Sequence, residues 1–319
     1  MAARATRSAS GAASSSDDAS RCLLLALSHD ELGVVVDGLA DPLQPVVAVA
    51  LSSTCLGLRT PLQAALEVLK ERHSRAVALC LKVDMSSSKS AASVHPPHPC
   101  TALRDAHAFF WSRKGLTADD MATLGMILRR KGVPKLQSLD LTTNLFGDMG
   151  MQAFCDGLGH ATAPSLRLLG FENNQIGPVG AEALATAIGR GAMPKLEWLT
   201  LRDNPIGNQG MSALAAPLRK LPALKELYLF RCCNIGDEGV ASLVANLGKD
   251  DFMALERLNL DGNMVTDTGC ALLSRALDAS AFPALHSLNL RNNPASEAAR
   301  LAVREALSRA IARARARVD

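Results

Sequence analysis

From residue 134 onward, apolar residues fall in one recurring order. The first copy runs Leu136, Leu139, Leu141, Asn144, Phe146, Gly147, Gly150, then Phe154 and Leu158. The next copies start at Leu166, Leu196, Leu224, Leu255 and Leu285, at successive spacings of 30, 30, 28, 31 and 30 residues. The alternation Leu-x-Leu predicts a short strand with its leucines on one face. The Asn side chain suits a turn directly after it, where it can bond backbone groups. The glycines then open a segment apolar at i and i+4, which predicts a helix. A proline two residues before the first leucine (134, 164, 194, 222, 283) marks the corner from helix back to strand. The fourth copy departs twice, with Cys232 at the Asn position and one extra residue after it.

No strand–turn–helix unit of this length can bury its own apolar face, so the units must stack. The six copies, residues 134–295, resemble the leucine-rich repeat family in its long-repeat form, like that of ribonuclease inhibitor and the NLR receptors. The resemblance implies an α/β solenoid, with a curved parallel sheet inside and helices outside. Phe109, Trp111, Leu116, Leu124 and Leu128 fit the same template 30 residues earlier without Asn or Gly, so residues 106–133 read as a degenerate first repeat. Residues 296–319 read as a capping helix with Ser296 as N-cap and an Arg-rich end.

Residues 21–73 lack the pattern and predict a compact three-helix unit broken at Pro42 and Pro45. Leu27, Glu31, Leu32, Val36, Leu39, Pro42, Leu43, Val47, Cys55, Leu58 and Arg59 make this unit resemble a degenerate F-box, with Ser28 in place of the usual Pro and Gly33 in place of an apolar residue. The other reading is a helical cap on the open end of the solenoid. Residues 74–105 are expected to be a linker with a short strand, containing a Ser/Pro-rich stretch at 85–100. Residues 1–20 are expected to be a disordered tail. The first 16 residues also have the Arg/Ser-rich, acid-free composition of an organellar transit peptide.

Composition narrows the function. Apolar residues make up 48% of the 319-residue chain, which excludes wholesale disorder. Basic and acidic residues, 34 and 31, nearly cancel, so a dedicated nucleic-acid binder is not indicated. No window holds 18 consecutive apolar residues, and Leu23–Leu27 is a run of only five, so no membrane span is expected. Eight scattered cysteines fit reduced thiols in the cytoplasm or nucleus. His95, His98 and Cys100 lack a fourth ligand for zinc and are flanked by prolines. No nucleotide loop or hydrolase motif is present, so neither catalytic residues nor a cofactor is expected.

Binding is the remaining class, and the strand period places it. Side chains that alternate with the leucines leave the core for the concave sheet face. There lie Leu168, Trp198, Glu226, Tyr228, Arg202, Phe230, Arg257, Asp261 and Arg291, with Arg231 beside them. Aromatic residues with arginines are the residue types of binding hot spots, so these are the candidate contacts for a protein partner. An exposed apolar patch of Leu168, Trp198, Tyr228 and Phe230 is expected. The F-box resemblance implies a substrate-recognition subunit of an SCF-type ubiquitin ligase. It would dock a Skp-family adaptor, and through it a cullin, by Leu27, Leu32, Val36, Leu39, Pro42 and Leu43. The repeat resemblance equally implies a scaffold or inhibitor, an NLR-like sensing array, or an activator like the Ran GTPase-activating proteins. The last typically carries an acidic tail, whereas this chain ends in a basic segment. A monomer is expected.

Overall fold

In a computed structural model of the chain, residues 41–43, 45–46, 49–50, 63–83, 99–129, 133–232, 234–248 and 250–316 are described. The chain divides into two compact units, Met1–His73 and Ser74–Asp319. Helix α1 (Gln63–Lys82) has residues in both.

In the first unit, the backbone N–H of Leu43 donates to Asp41 Oδ1 at 2.8 Å, and His73 Nδ1 bonds the carbonyl of Pro42 at 2.7 Å. Leu43 is buried. Leu27, Leu32, Val36 and Leu39 lie outside the described residues, as do Cys55, Leu58 and Arg59.

The second unit is a regular alternation. Helix α2 (Pro99–Asp105) precedes β1 (Ala108–Phe110), α3 (Ala118–Arg129), β2 (Ser138–Asp140), α4 (Gly147–Asp156) and β3 (Leu168–Gly170). Then follow α5 (Pro178–Gly189), β4 (Trp198–Thr200), α6 (Gly207–Arg219), β5 (Glu226–Tyr228), α7 (Asp237–Val244), β6 (Arg257–Asn259), α8 (Asp267–Asp278), β7 (Ser287–Asn289) and α9 (Glu297–Arg315). The seven strands form one parallel sheet in chain order. Leu139, Leu169, Leu199, Leu227 and Leu258 lie side by side in it, all buried. The register follows the sequence spacings, including the 28-residue step from Trp198 to Glu226 and the 31-residue step to Arg257. Consecutive helices pack on one another along one side of the sheet. Phe109 and Trp111 occupy the leucine positions of β1, with rings stacked 4.4 Å apart.

The expectation of a linker with a short strand over 74–105 needs correction. Among the described residues, α1 continues through 74–82 and α2 covers Pro99–Asp105. The reason is periodic: Leu69, Ala76, Leu79, Cys80 and Val83 are all buried at helical spacing, so the apolar stretch after His73 belongs to a helix face.

Two ladders run perpendicular to the strands. The first is made of asparagines. Asn204 Nδ2 donates to Phe171 O at 2.8 Å and to Leu201 O at 2.9 Å, while its Oδ1 accepts from Asn174 N and Ile176 N, both at 3.0 Å. Asn144 and Asn174 bond the repeat before them in the same way. The local Asx turn expected from sequence is thus mainly an inter-repeat bond, because stacking brings a carbonyl 33 residues back within reach. Cys232 keeps half of the device: its thiol donates to Leu201 O at 3.1 Å. The ladder resumes imperfectly, since Asn263 Oδ1 is buried without a partner among the described residues, directly after the repeat that carries the extra residue. The residue before each ladder position has positive φ in all seven turns: Arg113, Thr143, Asn173, Asp203, Arg231, Gly262 and Asn292. Only one is glycine. For Thr143 this conformation is strained, and the inter-strand bond from its N–H to Glu172 O at 2.8 Å holds it there.

The second ladder caps helices across repeats. Asp237, in the first turn of α7, accepts from Thr266 N and Gly269 N, each at 2.9 Å, at the start of α8. Asp148 does the same for Gly177 and Gly180, and Asn208 for Gly236 and Gly239. The second member of each capped pair is a glycine and has the least room: a Cβ on Gly180, Gly239 or Gly269 would sit 2.6, 3.0 or 2.5 Å from the capping side-chain oxygen. Removal of a cap of this kind costs about 1–2 kcal/mol. Asp237→Ala is therefore expected to lower the urea midpoint with an unchanged m-value, and no change in midpoint would show that the cap contributes nothing.

Candidate functional site

The face of the sheet opposite the helices is lined by the residues on either side of each buried leucine. Trp198 and Tyr228, on adjacent strands, have ring centroids 5.6 Å apart, and Leu168 pairs with Trp198 across the sheet. Tyr228 donates its hydroxyl to Glu226 Oε2 at 2.7 Å, and Arg257 reaches Glu226 Oε1 at 2.6 Å. Burial first, and then the neighbouring Glu226 carboxylate, hold the Tyr228 phenol above its ordinary value. One turn further along the chain, the Arg202 guanidinium lies 4.2 Å from the centre of the Phe230 ring, while that of Arg231 lies at 5.9 Å. Arg202 is also bound by Asp203 at 2.9 Å and faces Glu172 at 3.8 Å.

The structure therefore gathers the sequence-derived candidates into two adjoining clusters. One holds Leu168, Trp198, Tyr228, Glu226 and Arg257, and the other Arg202, Phe230 and Arg231. Asp261 stands apart, accepting from Asn292 Nδ2 at 2.8 Å. Arg291 is exposed, with no ion pair or ring contact among the described residues.

The expected exposed patch is corrected in one respect. Leu168, Trp198, Tyr228 and Phe230 are half-buried, because strands about 4.8 Å apart press large side chains against their neighbours. What remains is an aromatic platform with Glu226, Arg257 and Arg202 already paired, while Arg231 has no ion pair among the described residues. Such a surface loses little side-chain entropy when a partner settles on it. Its carboxylates and hydroxyl are occupied with one another, and no cluster of three metal-ligating side chains occurs among the described residues.

Sequence reading missed Phe110. It aligns with Asp140 and, further along the same row, with Tyr228, and it is 70% exposed. The signal was available: with Phe109 and Trp111 turned inward, alternation forces Phe110 onto the open face.

The Arg-rich end of the chain is largely tied to its own fold. Arg309 binds Asp278 through two bonds of 3.1 and 3.0 Å, Arg313 reaches the Leu277 carbonyl at 2.8 Å, and Arg300 and Arg304 share Glu297. The first two restrain the C-terminal end of α8, where cations are favoured. Among the described residues, no helix is long and apolar enough to cross a membrane.

The leucine-rich repeat family model matches residues 134–155, 162–185, 192–215 and 220–244. No curated protein matches the chain. Among solved structures, the chain is similar to the yeast Rad7–Elc1 complex at 14% identity, covering 75% of this chain and 73% of that one with a TM-score of 0.37. It is also similar to the TLR13–ssRNA13 complex at 21% identity, covering 61% of this chain and 30% of that one with a TM-score of 0.27. With its period, its parallel sheet and its asparagine ladder, the chain carries leucine-rich repeats and folds as an α/β leucine-rich-repeat solenoid.

Proposed function

We propose that the protein is a non-catalytic binding module that holds a protein target on the open sheet face. The observation that carries this is the paired aromatic clusters, Trp198–Tyr228 and Phe230–Arg202, at the middle of that face. Rigid aromatics next to arginine are where binding energy concentrates. Phe110 adds a separate exposed apolar side chain on the first strand of the same face.

The finer form of the proposal is a substrate-recognition subunit of an SCF-type ubiquitin ligase. Its support is the F-box-like run from Leu27 to Arg59 preceding a repeat array. On this reading Leu27, Leu32, Val36 and Leu39 contact a Skp-family adaptor, whereas Pro42 and Leu43, both buried, do not. No bond is made or broken on this chain; it holds a target lysine near an enzyme recruited through the cullin.

One experiment separates the two levels: affinity purification of the full-length chain from its native extract, read by mass spectrometry, with two double variants. Trp198→Ala/Tyr228→Ala is expected to lose the target while keeping the adaptor, since losing about 2 kcal/mol or more at a hot spot weakens binding roughly 30-fold. Leu32→Asp/Leu39→Asp is expected to lose adaptor and cullin while keeping the target. If the first variant, correctly folded, retains every partner, the open face is not the binding site. If wild type brings down no adaptor or cullin, the ligase reading fails and the binding module stands alone.

A further inference from the structure

Cys80, in the last turn of α1, and Cys100, near the start of α2, are both buried, with sulfur atoms 4.0 Å apart. The other described cysteines stand singly. Cys155 contacts Met151 Sδ at 3.6 Å, and burial pushes its thiol up to about 12. Cys232 commits its proton to the Leu201 carbonyl, and Cys270 is raised by burial and nearby carboxylates. The pair differs because each sulfur is the other's polar neighbour. Either sulfur can donate to the other, and the hydrogen bond they share lowers the Cys100 thiol from its ordinary value. One sulfur is thereby prepared as the nucleophile and the other waits beside it.

We propose that Cys80 and Cys100 form a thiol–disulfide site that closes reversibly on reaction with a low-molecular-weight disulfide such as oxidised glutathione. The Cys100 thiolate attacks one sulfur of that disulfide, the S–S bond breaks, and one glutathione leaves as its thiolate and takes up a proton. Cys80 then gives up its proton and attacks the Cys100 sulfur, expelling the second glutathione. The protein loses two hydrogen atoms, and the disulfide is reduced to two thiols. The sulfurs must close from 4.0 Å to a bond of about 2.05 Å, an approach within reach of side-chain rotation and a small helix shift. Both sulfurs are shielded, so the oxidant enters when α2 opens. This helix is seven residues long and is held by Cys100 and Leu103. Short elements with few buried side chains are the ones that open first. The closed bridge joins α1 to α2 and encloses residues 81–99 in a covalent loop.

The test uses the full-length protein in glutathione buffers of increasing oxidising strength, acid-quenched, alkylated and mapped by mass spectrometry. The expected result is a peptide pair linked through Cys80 and Cys100 in more than half the molecules, while Cys155 and Cys270 remain alkylatable and dithiothreitol reverses the link. In Cys80→Ala, Cys100 is expected to retain one glutathione, because its resolving thiol is gone. If that variant does not fold, the wild-type map alone decides. The inference is overturned if wild-type protein with an unchanged circular dichroism spectrum keeps both thiols free, or holds glutathione on Cys100 without forming the bridge.

Discussion

Gly157→Ala is expected to destabilise the protein by about 3 kcal/mol, at the upper end of what overpacking costs. Gly157 follows α4 and faces Gly125 of α3, where the two helices meet backbone to backbone. A Cβ on Gly125 would sit 2.5 Å from the carbonyl oxygen of Phe154, and one on Gly157 would strike the Gly125 backbone itself. Neither neighbour is the end of a flexible side chain, so relief requires the helices to separate. Gly157 has φ −71 and ψ −17, which alanine adopts freely. Conformational entropy alone would therefore favour the substitution by about 0.4–1 kcal/mol. The steric term is several times larger and decides the sign. Gly189→Ala is the internal control: it lies in α5 with nothing within 4 Å of the added methyl, and is expected to be neutral or slightly stabilising. Urea titration of the two variants checks both, and equal midpoints would refute the helix-contact argument.

The second large effect is expected at Asn204. It is fully buried, donates to three carbonyls, those of Phe171, Leu201 and Arg202, and accepts from two backbone N–H groups of the preceding turn. Asn204→Ala takes the partner from the Phe171 carbonyl and from the Asn174 and Ile176 N–H groups, while Leu201 O keeps the Cys232 thiol; each buried polar group left without a partner costs about 1–3 kcal/mol before relaxation. Water entering the vacated space recovers part of this, leaving an expected loss of about 3 kcal/mol. Asn204→Cys is expected to lose roughly half as much, because a thiol can still donate as Cys232 does to Leu201 O. Thermal or urea unfolding that ranks Ala equal to Cys would show that the donor half of the ladder adds nothing. Hydrogen exchange offers a local reading: the amides of Asn174 and Ile176 should lose protection in both variants.

The repeat frame is legible in the order of residues alone, because period is a local property. Leucines three and five residues apart, then Asn, then Gly-x-x-Gly, specify a strand, a turn and a helix wherever they occur. Stacking such units in order permits one register, and the 28- and 31-residue spacings reappear as the pairings of Trp198 with Glu226 and of Glu226 with Arg257. The same alternation placed Trp198, Tyr228 and Phe230 on the open face, though not Phe110, whose repeat lacks the Asn and Gly that draw the eye to the frame. The continuation of α1 past His73 was also legible in the spacing of Ala76, Leu79 and Val83, but the run of apolar residues there resembles a strand equally well.

Contacts between groups about 30 residues apart arise only in the folded stack. The carbonyl that each ladder asparagine reaches, the carboxylate that caps the next helix, the glycine that must stay bare against a neighbouring backbone and the thiol that faces Cys80 are all set by stacking. So is the half-burial of the aromatic platform, with Arg202 laid on Phe230 and Glu226 shared by Tyr228 and Arg257. A local pattern states which side of a strand a residue takes. Which atoms it meets there depends on the distance between neighbouring strands and on the side chains those strands carry.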